Sequence, residues 1–205
     1  MSRHVLGRRA ALLAAPALAA GCANPLSRPF ADKTLFVLDV RRPQRLPPNP
    51  RGRVLVLRTV TPAPGVELRG LVTRLAGGQQ RADFWNEFFA PPAALVQDQL
   101  RSWLADAGLF SAVVDQGTRA TPTLALEPVL AGLFADASVS PPQARAQMQA
   151  LLLGLDRTPP RVLAKGDHDR AAQITSLEPS AIVAGLNVAL AAVFAEIEAS
   201  LRAVA

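Results

Sequence analysis

The chain has 205 residues, of which 50% are hydrophobic and 19% charged, so it is not a disordered polyelectrolyte and is long enough for one domain with a real core. Its formal charge of +6 includes Arg3, Arg8 and Arg9. Without them 19 basic residues face 16 acidic ones, a balance of +3 that does not point to nucleic acid, and no segment interleaves base-stacking aromatics with Lys or Arg.

Arg3, His4, Arg8 and Arg9 form a positive n-region ahead of an apolar run over residues 10–20. That run has the length of a signal-peptide h-region and falls short of the roughly 20 residues that span a bilayer. It ends Leu18-Ala19-Ala20-Gly21-Cys22, which resembles the lipobox of bacterial lipoproteins, with Ala19 where leucine is commonest. Residues 1–21 are therefore expected to be a lipoprotein signal peptide, Cys22 the acylated N-terminus, and residues 22–32 a tether. An ordinary secretory signal is the alternative, and Arg8-Arg9 also fits twin-arginine export. Cys22 is the only cysteine, so no disulfide competes for it. Ala23 follows in place of aspartate, which by resemblance to enterobacterial sorting places the protein on the periplasmic side of the outer membrane. Ten extended residues reach about 35 Å at most, so the domain must sit close to that membrane.

The folded part is expected to begin with a strand over 34–40, where Leu35, Val37 and Asp39 alternate with Phe36, Leu38 and Val40. Residues 41–53 cannot continue it, because Pro43, Pro47, Pro48 and Pro50 forbid ladder bonds. Arg41, Arg42, Arg45, Arg51 and Arg53 make this the most basic patch of the chain. It reads either as a solvated loop or as a contact for anionic headgroups or an acidic partner. Residues 54–60, apolar on both faces, predict a central strand. Residues 71–75 and 80–84 flank Gly77-Gly78 as a hairpin.

Pro92 opens an amphipathic helix to Ala107, with Leu95, Val96, Leu100, Trp103 and Leu104 on one half of the wheel and Gln97, Asp98, Arg101 and Ser102 on the other. Gly108 stands where a left-handed cap is wanted, and a strand over 109–114 follows. Residues 123–130 alternate as a strand that Pro128 demotes to an edge or a bulge. Residues 143–155 and 161–165 are expected to pair as a hairpin. The last helix starts at Pro179 and runs to about Val204, with Ile182, Val183, Leu186, Ala189, Leu190, Val193, Phe194, Ile197 and Leu201 in one stripe. Its other face, which includes Ala184, Gly185, Ala191 and Ala195, is almost uncharged. That suggests a homo-oligomer contact centred on Ala184, Ala191 and Ala195, set against the plain fact that alanine is the best helix former.

These periods predict an α/β (α+β) fold: one compact domain over 33–205, a mixed or antiparallel sheet with two main amphipathic helices packed on it. No catalytic residue stands out. His168 is the single histidine of the mature chain and, between Asp167 and Asp169, reads as part of a solvated loop; no second histidine or cysteine completes a metal set. No nucleophile elbow or phosphate-binding glycine loop occurs. Asp83 and Glu87 near Trp85 could form a carboxylate pair if they line a pocket, and Trp85 and Trp103 are expected in the core.

Trp85, then Pro92 with the Leu95, Leu100 and Leu104 stripe, Gly108, Phe110, Val113 and the helix carrying Asn187-Val188-Ala189-Leu190 together resemble the ABC-type transport auxiliary lipoprotein family. That resemblance implies a non-enzymatic accessory of a phospholipid transport system, without a cofactor beyond the lipid on Cys22. Its implied partners are an MCE-domain protein and an ABC permease and ATPase. The alternative is an envelope-assembly or ligand-binding lipoprotein with no transporter partner.

Overall fold

The computed structural model describes residues 32–204; the expected signal peptide, Cys22 and the chain through residue 31 lie outside the described residues. In chain order the elements are β1 (Thr34–Phe36), β2 (Val54–Leu57), β3 (Thr61–Pro62), β4 (Gly70–Arg74), β5 (Gln80–Phe88), α1 (Pro92–Ala105), β6 (Ala112–Asp115), β7 (Leu124–Asp136), β8 (Gln143–Gly154), β9 (Arg161–Gln173) and α2 (Pro179–Leu201). The strands join in one mixed sheet, and both helices bury into one shared core, as the hydrophobic periods require.

β7 is the spine. Along one edge it pairs antiparallel with β8 over its whole length, and β8 pairs antiparallel with β9. Along the other edge it is served in turn by β2 at Leu124–Leu126, β3 at Val129–Leu130 and β4 at Ala135–Asp136, all parallel. β6 flanks β2, and β5 and β1 extend outward from β4. The expected central strand is therefore central, and the expected hairpin at Gly77-Gly78 forms, both glycines having positive φ (74° and 77°).

Pro128 corrects an expectation, since it lies inside the spine and not at an edge. The carbonyls of Leu126 and Leu130 accept from Arg58 and Ala63, so by the strand's period of two the Pro128 nitrogen faces the same side. There it meets the break between β2 and β3, where the Val60 amide already donates to Gln97 Oε1 at 3.0 Å. No ladder bond is lost, and the register shift falls later, between Leu130 and Gly132.

The first strand is also shorter than its pattern suggested. β1 ends at Phe36, and beyond it the Asp39 amide donates to Asn187 Oδ1 (3.1 Å) and the Val40 amide to Gln99 Oε1 (2.8 Å). Leu38 and Val40 are buried all the same. Side chains on α2 and α1 thus replace a strand neighbour, which the alternation of residues 34–40 could not show.

α2 packs on the meander. Its predicted stripe is buried from Ile182 to Leu201. β8 meets it with Ala144, Ala146 and Ala150, small residues that bring the helix close, and with the larger Met148 and Leu152. α2 is long and apolar enough to pass for a membrane span, and its burial against the sheet marks it as a core helix. Trp103 of α1 meets Phe194 of α2 edge-to-face at 5.7 Å and ties the two helices together.

Candidate functional site

Among the described residues two charged groups are buried, Asp136 and Glu198, and the larger cluster is centred on Glu198, in the last turns of α2. Its Oε2 accepts from Trp103 Nε1 (2.8 Å) and Arg42 Nε (3.2 Å); its Oε1 accepts from Arg42 Nη2 (2.9 Å) and Arg202 Nη2 (2.5 Å). Burial penalises the charged carboxylate, but these donors outweigh that and hold the group below the usual glutamate range. Every acceptor position faces a donor, so the cluster is a clasp between the loop after β1, α1 and α2. It does not hold a proton for transfer.

The arginine patch is accordingly divided. Arg42 belongs to the clasp, Arg41 pairs with Asp39 (2.7 Å), and Arg45 pairs with Asp106 (2.6 Å). Arg53 donates to the Thr123 carbonyl at 3.0 Å, while Arg51 makes no ion pair among those of the described residues. The loop is also tacked down by its backbone, Leu46 N–H to the Asp106 carbonyl (2.9 Å) and Asn49 N–H to the Phe110 carbonyl (3.0 Å). Gly108, at φ +67°, makes room for it, since a Cβ there would stand 2.8 Å from Leu46 Cβ. The loop is held in place by these bonds while Arg41, Arg45 and Arg51 stay exposed.

The aromatic segment behaves differently from expectation. Between the pairs Val72↔Ala82 and Gly70↔Glu87, β4 advances two residues and β5 advances five, so residues 83–86 bulge out of the ladder. Asp83 Oδ1 accepts the amides of Trp85 (2.8 Å) and Asn86 (3.1 Å), and its Oδ2 accepts from Asn86 Nδ2 (3.0 Å). Partial burial raises this carboxyl, but the Asn86 side chain, the two amides and Arg81 together hold it below the ordinary range. Gly70 lets the bulge close down, because a Cβ there would overlap the Asp83 carbonyl oxygen.

The bulge carries Phe84 and Trp85, edge-to-face at 5.0 Å and 65% and 45% exposed. Trp103 is in the core as expected; Trp85 is not, because the bulge lifts it off the sheet. Nor do Asp83 and Glu87 form a catalytic pair. Asp83 lines a cleft of about 280 Å³ with Leu177 and Ile182, whereas Glu87 lies outside it and pairs with Lys33 and Arg69, both at 3.2 Å.

No family model matches this chain, and no curated protein does either. Solved structures do. A Xanthomonas campestris protein described by the family model DUF330 is 20% identical, with a TM-score of 0.69, covering 80% of this chain and 92% of its own. An uncharacterized protein is 14% identical at a TM-score of 0.65, covering 83% and 99%. A hypothetical protein from Chlamydia trachomatis is 9% identical at 0.54, covering 74% and 96%. At such identities the likeness is one of fold.

The resemblance to the ABC-type transport auxiliary lipoprotein family is corrected by these matches, of which the first is described as DUF330 and none names that family. The physical reason lies in the residues that carried it. Pro92 opens α1, Leu100 and Leu104 fill the core, and Gly108, two residues beyond the Asp106 cap, turns the chain away with positive φ. Such features report a helix packed on a sheet and would serve any family built that way.

His168 lies on β9 and not in a loop. Its Nδ1 is 3.1 Å from Glu196 Oε2, and Glu196 also engages Arg170. Burial and the Arg170 charge push the imidazole below its usual range, against a smaller pull from Asp167. On α2, Ala184 and Ala195 are exposed, Ala191 is half-buried, and Val188 between them is 62% exposed. Gly185, grouped by sequence with that outer face, points into the core instead.

Glu198, Gln97, Gln99 and Asn187 tie segments distant in the chain together, a role that sequence reasoning gave to none of them. A charge or amide on a helix reads as solvent-facing unless the partner strand is known. Of these only Glu198 left a trace, as one of the charges, with Glu196 and Arg202, that close an apolar helix.

Proposed function

We propose that this protein is a non-enzymatic lipoprotein of the bacterial cell envelope, acylated at Cys22 and held on the periplasmic face of a membrane, by expectation the outer one. Its folded domain serves as an accessory of a lipid transport system whose other parts are an MCE-domain protein and an ABC permease and ATPase, holding or extending that apparatus from the membrane that carries the anchor. The observation that supports holding over turnover is the state of the buried carboxylates. Asp136 and Glu198, the charged groups buried among the described residues, are both engaged by internal donors: Ser138 and Arg145 for the first, Arg42, Trp103 and Arg202 for the second. A carboxylate so engaged is poorly suited to general acid or base work.

The test has two parts. Mass spectrometry of the membrane-extracted protein should show diacylglyceryl-modified Cys22 as the N-terminus. Crosslinking in intact envelopes followed by affinity purification should recover an MCE-domain protein or an ABC subunit. An acylated protein that recovers neither is an envelope-assembly or ligand-binding lipoprotein without a transporter partner.

A further inference from the structure

Of the eleven large apolar side chains exposed among the described residues, five stand at one corner of the sheet: Leu35 (47%), Val37 (60%), Phe84 (65%), Trp85 (45%) and Phe89 (63%). A soluble domain seldom gathers that much exposed apolar surface without a use for it. β1 and β5 build the corner, with Leu35 opposite Glu87 in the parallel register and the Phe89 amide donating to the Phe36 carbonyl. The corner is also where the described chain begins. Lys33, the residue before β1, sets its Nζ 4.4 Å over the Phe84 ring.

We infer that this corner is a membrane-contact surface, in which Phe84 and Trp85 enter the boundary between headgroups and acyl chains of the bilayer that holds the Cys22 anchor. The inference rests on the lipoprotein reading above. Three observations choose a bilayer over a protein partner. The corner lies at the root of the tether, whose ten residues cannot carry it further than about 35 Å from the acyl chains. Its side chains are of the interfacial kind, an amphipathic indole beside a phenyl ring, with the Lys33 ammonium set over the phenyl face and paired with Glu87. The bulge is built to project: Asp83 holds both amides of its crown, and Gly70 provides the room.

Charge does not drive the contact. Lys33 and Arg69 are both paired with Glu87, and Arg81 is balanced by Asp83. The arginine loop is not part of the same surface. The bulge lies by the start of α2, sharing a cleft with Pro179 and Ile182, while Arg42 binds Glu198 near its end, roughly 28 Å along the helix.

The experiment uses the full acylated protein, reconstituted in vesicles of phosphatidylethanolamine and phosphatidylglycerol with brominated acyl chains. Trp85 and Trp103 are the only tryptophans, and Trp103 is buried. Brominated lipid is expected to remove most of the Trp85 emission, at low and at high salt alike, and Trp85→Phe is expected to abolish the quenching while leaving Trp103 bright. Absence of quenching in a protein whose Cys22 acylation is verified by mass overturns the inference and leaves the anchor standing. Equal quenching in the native protein and in Trp85→Phe also overturns it, because the emission lost would be that of Trp103. Trp85 shielded from both brominated lipid and aqueous acrylamide means that a second copy or another protein covers the corner, and overturns it too. A Cys22 without acyl mass removes the anchor reading and the inference with it.

Discussion

Glu198 shows how a single residue can be mistaken. On a helical wheel it is one of three charges near the end of an apolar helix, and it looks like the first turn to meet solvent. In the fold its carboxylate receives four donors and fastens α1, α2 and the loop after β1. Glu198→Ala leaves Arg42 and the Trp103 indole without their acceptor, and is expected to reduce stability by about 3 kcal/mol in urea denaturation. The low end of the range applies because the groove lined by Pro43, Gln44 and Ala195 leaves the clasp near water.

Acid acts on the same residues. Asp83, Asp136 and Glu198 all have lowered values, with Ser138 the main cause for Asp136 and burial opposing the shift in the other two. A carboxylate lowered in the fold stabilises it above the unfolded value, about pH 4, and loses that contribution as pH falls through the folded value. His168 is lowered too, through burial and Arg170, so its contribution is present above about pH 6.5 and fades below it. Thermal melts should therefore weaken in two stages on acidification, and His168→Asn should remove the earlier one.

Among the elements, α2 depends on Gly185. A Cβ at that position would overlap Ile174 Cγ2 and stand 2.8 Å from Ala144 Cβ, so the helix would have to lift off β8. Gly185→Ala is expected to cost about 1–3 kcal/mol by overpacking, although alanine favours helix by propensity. Pro128 makes the opposite case. Its nitrogen faces the break between β2 and β3, so Pro128→Ala gains no ladder bond, and because the residue is buried the substitution is expected to lose about 1–2 kcal/mol in denaturant melts through the gap left by the ring. Both residues were misjudged from sequence, for a shared reason. Periodicity assigns a residue to a face of its own element, and says nothing about which neighbour stands there.

At the scale of the molecule the open question is which surfaces meet something else. The outer face of α2 leaves Ala184, Val188 and Ala195 exposed, and the homo-oligomer contact expected from sequence falls on it. Ala184→Arg with Ala191→Arg should shift the sedimentation coefficient toward that of a monomer, and an unchanged coefficient removes self-association through this face. The aromatic corner and the α2 face lie on different elements, so bilayer contact and self-association do not compete for the same residues.

Local pattern alone determined much of this protein. A run apolar on both faces located β2, the paired glycines located the hairpin at Gly77-Gly78, and period two located β8 even where alanine and glutamine argued for helix. Period 3.6 identified both helices and, Gly185 and Glu198 apart, the buried stripe of α2. Such features depend on neighbours a few residues away, and the chain carries that information in order. Only the tertiary structure decided that Pro128 sits in the spine, that Arg42 is bound inside a clasp, that His168 lies in a strand under α2, and that Trp85 faces outward. Each of those outcomes depends on a partner distant in sequence, Glu198 for Arg42 and Gly70 for the bulge that carries Trp85, and no local period records how two such segments meet.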